Sequence, residues 1–166
     1  MRKTLLLVIM LMVVFSTSCW ASIEKQVDSF SGEVEVKSIT NKFNSFHMIV
    51  FSKETKNMNT KYSLRLHKID FNDWYFFSDD IVDFKINDEI YPLKVVTTIS
   101  DIVPPDNALH TAALIRVNPE IISRISSSND SDNFYMRVYF NNQSAKTFQI
   151  PQYIISEWKT VIKQEG

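Results

Sequence analysis

Glycine is almost missing from this chain, which has only Gly32 and Gly166 in 166 residues. Loops that cradle phosphate groups depend on glycine, because a residue without a side chain lets backbone N–H groups approach the ligand closely. The sequence therefore contains no P-loop, no Rossmann dinucleotide fingerprint and no G-x-S-x-G nucleophile elbow. Its turns must be built from Asn, Asp, Ser and Pro, which tolerate or preset turn geometry.

Cysteine occurs once, at Cys19. A single cysteine cannot form an internal disulfide bond, even in the oxidising compartments where such bonds persist. The fold must therefore be stabilised by its hydrophobic core. The 145 residues after position 21 are enough for one ordinary domain with such a core.

Apolar runs long enough to span a membrane are also missing. The longest, Leu5 to Phe15, would form a helix of about 16 Å, against a hydrocarbon core of about 30 Å. Arg2 and Lys3 precede this run, and small or polar residues dominate positions 16–22. This order is typical of a secretory signal peptide. It predicts a cleavable leader at residues 1–21 and a single domain at residues 22–166, without a transmembrane span.

The position of cleavage decides what becomes of Cys19. Small residues at Cys19 and Ala21 favour cleavage before Ser22, which would release a secreted or periplasmic protein without cysteine. The alternative is a lipoprotein box at residues 16–19, with Cys19 lipidated and the protein anchored to a membrane. Ser16 stands where lipoproteins usually carry an aliphatic residue, and the bulky Trp20 follows the cysteine, so soluble release is favoured.

The charge balance gives no sign of a nucleic acid or an anionic membrane surface as a partner. Without Arg2 and Lys3 the chain has 16 basic residues against 19 acidic ones, a formal net charge of −3. Nucleic-acid binding normally needs a strongly basic surface, so no nucleic-acid partner is expected. No basic run indicates binding to anionic lipids either.

Alternation of apolar and polar residues dominates the chain after the leader and is typical of antiparallel strands. Continuous apolar runs such as 46–51 and 74–77 predict strands that are buried on both faces. Asn118-Pro119-Glu120 is a helix start, and an apolar stripe that includes Trp158 predicts a C-terminal helix after Pro151. The predicted fold is mainly β: an antiparallel β-sandwich or bent sheet with two short helices, the C-terminal one docked on the sheet.

Metal and cofactor sites are not predicted. His47, His67 and His110 lack the H-x-x-x-H spacing of a helical metal site, although they could meet in space. The Asp70-x-Asn72 pair imitates the start of a calcium loop, but the rest of the loop pattern fails.

Catalytic motifs are missing as well, since no serine has a strand–turn–helix context with glycine neighbours. A pair of acids could still hydrolyse a glycan, but nothing in the linear order selects the pair. A hydrolase of a glycan or envelope polymer therefore remains an alternative.

Two groups of residues are candidates for ligand binding. Tyr135, Arg137 and Tyr139 share one face of a strand, and Arg65 with His67 is expected on the same outer surface. Such a stripe could hold an acidic or planar partner, because arginine stacks and donates in a fixed fork. It could equally be a solvated face.

Trp74 stands in a run of four aromatic residues at 74–77. Exposed aromatic rings commonly stack on ligands, but a buried central strand explains the run as well.

Together these features predict an exported, non-enzymatic binding domain of the bacterial envelope or secretome. Its partner would be a protein or a glycan outside the cytoplasm. A lipid-anchored component of an envelope assembly is the third interpretation.

Overall fold

The computed structural model describes residues 21–105 and 107–165. The predicted leader and Cys19 lie outside these residues, apart from Ala21, which begins the first strand. The described part of the chain has nine strands and two helices, with the following bounds: β1 Ala21–Val27, β2 Val34–Phe43, β3 Phe46–Lys56, β4 Asn59–Asp70, β5 Phe77–Ile86, β6 Glu89–Val103, β7 Ala108–Val117, α1 Pro119–Ser127, β8 Phe134–Phe140, β9 Lys146–Ile150 and α2 Gln152–Lys163.

All strand pairs are antiparallel and form one curled sheet in the order β1-β2-β3-β4-β7-β6-β5-β8-β9. Strands β1 to β4 are neighbours in chain order. Strand β7 lies next to β4 and is followed by β6 and β5, so this part of the sheet has the reverse of the chain order. β6 is long and bends at a bulge between Val95 and Thr97, where its pairing with β7 shifts register. This bend lets one strand pair with β5 in its first half and with β7 in its second.

The hydrophobic core fills the concave side of the sheet. Phe51, Leu64, Phe84 and Trp158 are almost fully buried there. The core leaves a void of only about 10 Å³ beside Trp158, roughly the minimum that a water molecule needs. The curled sheet is therefore closed by side chains and does not enclose a ligand chamber at this point.

Helix α1 begins as its sequence predicts. The side chain of Asn118 accepts a hydrogen bond from the backbone N–H of Ile121 at 2.9 Å, and Pro119 occupies the first helical position. Ile121, Ile122 and Ile125 form the buried face of the helix. This face lies against the core, so the helix is held by packing as well as by its cap.

Helix α2 packs its apolar face into the concave side of the sheet. The ring of Trp158 stacks on Phe51 of β3, with the centroids 4.9 Å apart. At the C-terminal end of the helix, Lys53 Nζ donates to the carbonyl oxygens of Ile162 and Gln164 at 3.0 and 2.5 Å. A cation at this position satisfies carbonyls that have no partner within the helix.

The turns are made almost without glycine. Asn57 and Met58, which connect β3 to β4, both have positive φ angles, 49° and 63°. Asn44, Asn87 and Asn107 likewise adopt the left-handed conformation in their turns. Asparagine tolerates this region better than most residues, whereas methionine rarely enters it.

The predicted fold class is confirmed: a mainly β, bent antiparallel sheet with two helices, the C-terminal one docked on the sheet. The prediction of a doubly buried strand at residues 74–77 was wrong. Residues 74–76 belong to the loop between β4 and β5, and only Phe77 of the four is buried. None of the helices in residues 21–105 and 107–165 is long and apolar enough to cross a membrane.

Candidate functional site

Two of the predicted ligand-binding residues line a shallow hollow on the outer face of the sheet. This hollow, termed the β8 hollow below, has a volume of about 200 Å³. Its surface is mostly apolar, and strands β5, β6, β8 and β9 contribute its lining residues: Asp83, Lys85, Ile90, Tyr135, Met136, Arg137 and Thr147. The alternation of β8 explains the arrangement, because Tyr135 and Arg137 point outward while Met136 and Val138 point into the core.

Tyr139 is on the same face of β8 but has a different role. Its hydroxyl group donates a hydrogen bond to Asp83 Oδ2 at 2.5 Å. Asp83 is the direct cross-strand neighbour of Arg137. This carboxylate therefore accepts a hydrogen bond from Tyr139, and its oxygens lie more than 4.0 Å from the guanidinium nitrogens of Arg137.

The guanidinium group of Arg137 is oriented but has spare donors. Its Nε donates to Thr147 Oγ1 on β9 at 3.1 Å. Among the described residues, no carboxylate lies within 4.0 Å of Arg137 and no acceptor binds its two terminal nitrogens. The site therefore combines a fixed cationic fork with apolar surface from Tyr135 and Ile90, which is the chemistry that receives a carboxylate attached to an apolar group.

Arg65 and His67 lie in a different place from the β8 stripe. They line a second hollow of about 300 Å³ on the outer face of β4, β7 and β6, termed the β4 hollow, with Thr97, Ile99, Ala112, Ala113 and Leu114. Arg65 is ion-paired with both Glu35 and Glu54 at 3.4 Å. Its charge is thus already balanced by neighbouring strands, unlike that of Arg137.

His67 is hydrogen-bonded to His110 on the neighbouring strand β7. The distance from His67 Nδ1 to His110 Nε2 is 3.1 Å, and the ring planes differ by 5°. The ring centroids are 5.4 Å apart, which is 2.3 Å more than the distance between the two nitrogens. This difference is about twice the distance from an imidazole centroid to one of its nitrogens, as expected when both nitrogens lie on the line between the centroids. The rings are therefore edge to edge in nearly one plane, with one nitrogen donating a proton and the other accepting it.

This arrangement determines how the pair responds to acid. Burial lowers the pKa of His67 below its ordinary value, and the charges of His110, Arg65 and His47 lower it further. Two nitrogens that point at each other do not converge on a third point, as two ligands of one metal ion must. No cluster of three His, Cys, Asp or Glu side chains suited to a metal occurs in the described part of the chain.

Trp74 is not among the residues that line either hollow and lies in the loop between β4 and β5. Its ring stacks on Phe76, with the centroids 5.4 Å apart and the planes 8° apart. Tyr75, between them, turns inward against Phe140. The sequence-predicted residues thus fall into three places: Tyr135, Arg137 and Tyr139 on β8, Arg65 with His67 on β4, and Trp74 in a loop.

Sequence reasoning missed the residues that complete each site. Thr147, which orients Arg137, and Asp83, which Tyr139 engages, come from neighbouring strands. His110 was identified as a histidine but not as the partner of His67, 43 positions earlier. The alternation of each strand indicated which residues face outward, whereas strand order decides which of them meet.

Comparison with models of known protein families, with curated proteins and with solved structures finds no match for this chain.

Proposed function

We propose that this chain is an exported, non-enzymatic binding domain that receives an acidic group of its partner in the β8 hollow. The observation that carries the proposal is the state of Arg137. It is an exposed, oriented arginine whose terminal nitrogens have no partner among the described residues. A carboxylate with an apolar or aromatic body would pair with this fork and cover Tyr135 and Ile90.

The size of the hollow supports binding of one part of a larger partner. Pockets for whole small molecules usually measure about 300–1,000 Å³. At about 200 Å³ and open to solvent, the β8 hollow accommodates a group the size of one side chain or ring. A protein or glycan that presents such a group fits this geometry better than an enclosed substrate does.

The hydrolase alternative has less support. It needs two carboxylates in one cleft, and Asp83 is the single carboxylate among the residues that line the β8 hollow. A third hollow, at the turn between β3 and β4, contains Glu33 and Glu54. Both are ion-paired, Glu33 with Lys56 at 3.7 Å and Glu54 with Arg65 at 3.4 Å.

Titration with benzoate tests the proposal, because this probe combines a carboxylate with a planar apolar ring. Benzamide, which has the same shape without the charge, is the control probe. Weak, saturable binding of benzoate to the wild type and at least fivefold weaker binding of benzamide are expected. Arg137→Gln should reduce benzoate binding to the level of benzamide.

Arg116→Gln is the matched protein control. Arg116 is also exposed on the outer face of the sheet, on β7, but it does not line the β8 hollow. Its replacement should leave benzoate binding unchanged. Equal losses in both variants would indicate a general charge effect, and unchanged binding in Arg137→Gln would refute the assignment of the site.

A further inference from the structure

One end of the curled sheet carries a group of five large apolar side chains, of which four are exposed and one, Trp74, is half-buried. Phe71, Trp74 and Phe76 lie in the loop between β4 and β5, and Ile102 and Val103 lie at the end of β6. These five residues are termed the apolar rim. Phe71, Ile102, Val103 and Phe76 are 67, 50, 41 and 40% exposed. Single exposed apolar residues are ordinary on a protein surface, whereas a group at one end marks an interaction surface.

Strand register places these residues at the same end. Asp70 pairs with Leu109 of β7, and Leu109 pairs with Ile102 of β6. Phe71 comes directly after Asp70, and Val103 comes directly after Ile102, so both lie just beyond this row of paired residues. Two strand spacings separate them, about 10 Å. The loop at residues 71–76 then connects β4 to β5, past the two strands that lie between them in the sheet, and Phe76 near its end bonds to Asn141 and Asn142, which follow β8.

The loop holds its aromatic side chains in place. Asp70 Oδ1 accepts hydrogen bonds from the backbone of Asn72 and Asp73 at 3.0 and 3.2 Å. Asn142 accepts from Phe76 N at 3.0 Å and donates to the carbonyl oxygen of Trp74 at 2.8 Å. Since the loop is ordered before it meets a partner, little conformational entropy is lost on binding.

Tyr75 fixes which way its neighbours face. Its ring packs edge-on against Phe140, and Lys68 Nζ lies 3.9 Å from the ring centroid. Because Tyr75 points into the mouth of the sheet, Trp74 and Phe76 stack on each other outside it. The outward position of Trp74 and Phe76 therefore follows from the packing of Tyr75 between them.

The chain enters the sheet at this same end. Ala21 pairs with Thr40, Thr40 with Ile49, and Ile49 with Leu66 near the end of β4. The preceding residues include the apolar run from Leu5 to Phe15 and Cys19. Two residues span at most about 7 Å, so a membrane attachment at Cys19 would keep the start of β1 near the bilayer, on the side of the sheet that carries the apolar rim.

The charges near the rim select the kind of lipid surface. Asp73, Asp79, Asp80 and Asp101 are all exposed at this end, where they outnumber the exposed lysines Lys42 and Lys94. These carboxylates would be repelled by anionic headgroups. A zwitterionic surface avoids that cost, and tryptophan and phenylalanine insert readily at its headgroup level.

From these observations we propose that the apolar rim is a docking surface for a zwitterionic lipid bilayer. The rim is separate from the β8 hollow, which lies on the outer face of β5, β6, β8 and β9. The domain would therefore rest on the membrane by one end and leave its ligand-binding face free. Failure of either proposal leaves the other standing.

Flotation with phosphatidylcholine vesicles tests the proposal on protein purified from the producing cell. All variants carry Cys19→Ser, so that acylation cannot cause flotation. Phe71→Ser with Val103→Ser should lower the vesicle partition coefficient at least fivefold. Phe30→Ser with Met58→Ser is the matched control, because these side chains are 100 and 98% exposed at the opposite end of the sheet.

Two further readouts identify the bound surface. In protein cleaved before Ser22, which lacks Trp20, brominated phosphatidylcholine should quench tryptophan emission, and Trp74→Phe should remove most of that quenching because Trp158 is buried. Replacing phosphatidylcholine by phosphatidylglycerol should weaken flotation. The proposal is overturned if the protein does not float, if both double variants lose partitioning equally, or if anionic vesicles bind it more tightly. Self-association that the Phe71→Ser, Val103→Ser variant abolishes, without vesicle binding, would also overturn it.

Discussion

The indole ring of Trp158 stacks on the phenyl ring of Phe51, with the centroids 4.9 Å apart and the planes 19° apart. This contact joins the C-terminal helix to the third strand. Trp158 also approaches Phe84 of β5, at 6.3 Å. One side chain thus connects strands from the two halves of the curled sheet, β3 and β5, so the last helix completes the core.

Trp158→Ala should lower the free energy of unfolding by about 3–5 kcal/mol, because it removes a large buried side chain and leaves a cavity between two sheet regions. Urea unfolding followed by circular dichroism measures the loss. Ser156→Ala, an exposed position on the same helix, is the control and should change stability by less than about 0.5 kcal/mol. A similar loss in both variants would contradict the anchoring role of Trp158.

Met58→Gly should stabilise the protein by about 1 kcal/mol. Met58 has a φ angle of 63° in the turn between β3 and β4, where glycine avoids the steric cost of a side chain. Its own side chain is almost fully exposed, so little packing is lost. Met58→Ala keeps the Cβ atom and should give no comparable gain in thermal unfolding; equal gains would refute backbone strain as the cause.

Thr111→Val should be neutral or stabilising, by up to about 1 kcal/mol. The Thr111 hydroxyl is buried without a hydrogen-bond partner among the described residues, so its removal ends a desolvation cost while the shape is kept. Ser52→Ala is the contrasting variant. Ser52 Oγ is 2.8 Å from Ser63 Oγ, and its loss should destabilise the protein by about 1 kcal/mol. Denaturant titration of both variants should therefore give effects that differ in sign or size.

Stability should fall as the pH drops through about 6.5, the usual pKa of histidine in an unfolded chain. The folded state holds the pKa of His67 below that value, so the unfolded state binds more protons in this pH range. Acid therefore stabilises the unfolded state relative to the folded state. This loss of stability is absent well above pH 6.5 and grows as the pH falls, until the pKa of His67 in the folded state is reached.

His67→Gln should flatten this part of the pH profile of unfolding free energy. His47→Gln removes an exposed imidazole and should keep most of the slope. An unchanged slope in His67→Gln would show that other groups cause the acid sensitivity.

Local features of the fold could be predicted from the sequence. Asn118 and Pro119 marked the start of α1, and the alternation around Tyr135 and Arg137 indicated their outward direction. These signals are local because capping and side-chain alternation depend on neighbouring residues only. The loop at residues 74–76 was misjudged for a long-range reason: the connection from β4 to β5 passes the two strands that lie between them in the sheet, and this span uses residues that would otherwise extend β5.

The candidate sites could be predicted only in part. Arg137 was identified from its own strand, but its cross-strand neighbour Asp83, which bonds to Tyr139, is 54 positions away from it in the chain. The His67–His110 pair depends on β7 lying next to β4. Such pairings are set by strand order, which the alternation of single strands does not encode.

The β8 hollow is tested most directly by the ¹⁵N chemical shift of Arg137 Nε during titration with benzoate. The Nε–H group is bonded to Thr147, which makes its resonance a reporter of the guanidinium environment. The account predicts saturable shifts of this resonance and of the backbone amides of Tyr135 and Thr147, while those of Arg65 and His67 stay unchanged. Shifts confined to the β4 hollow, or none at saturation, would contradict it.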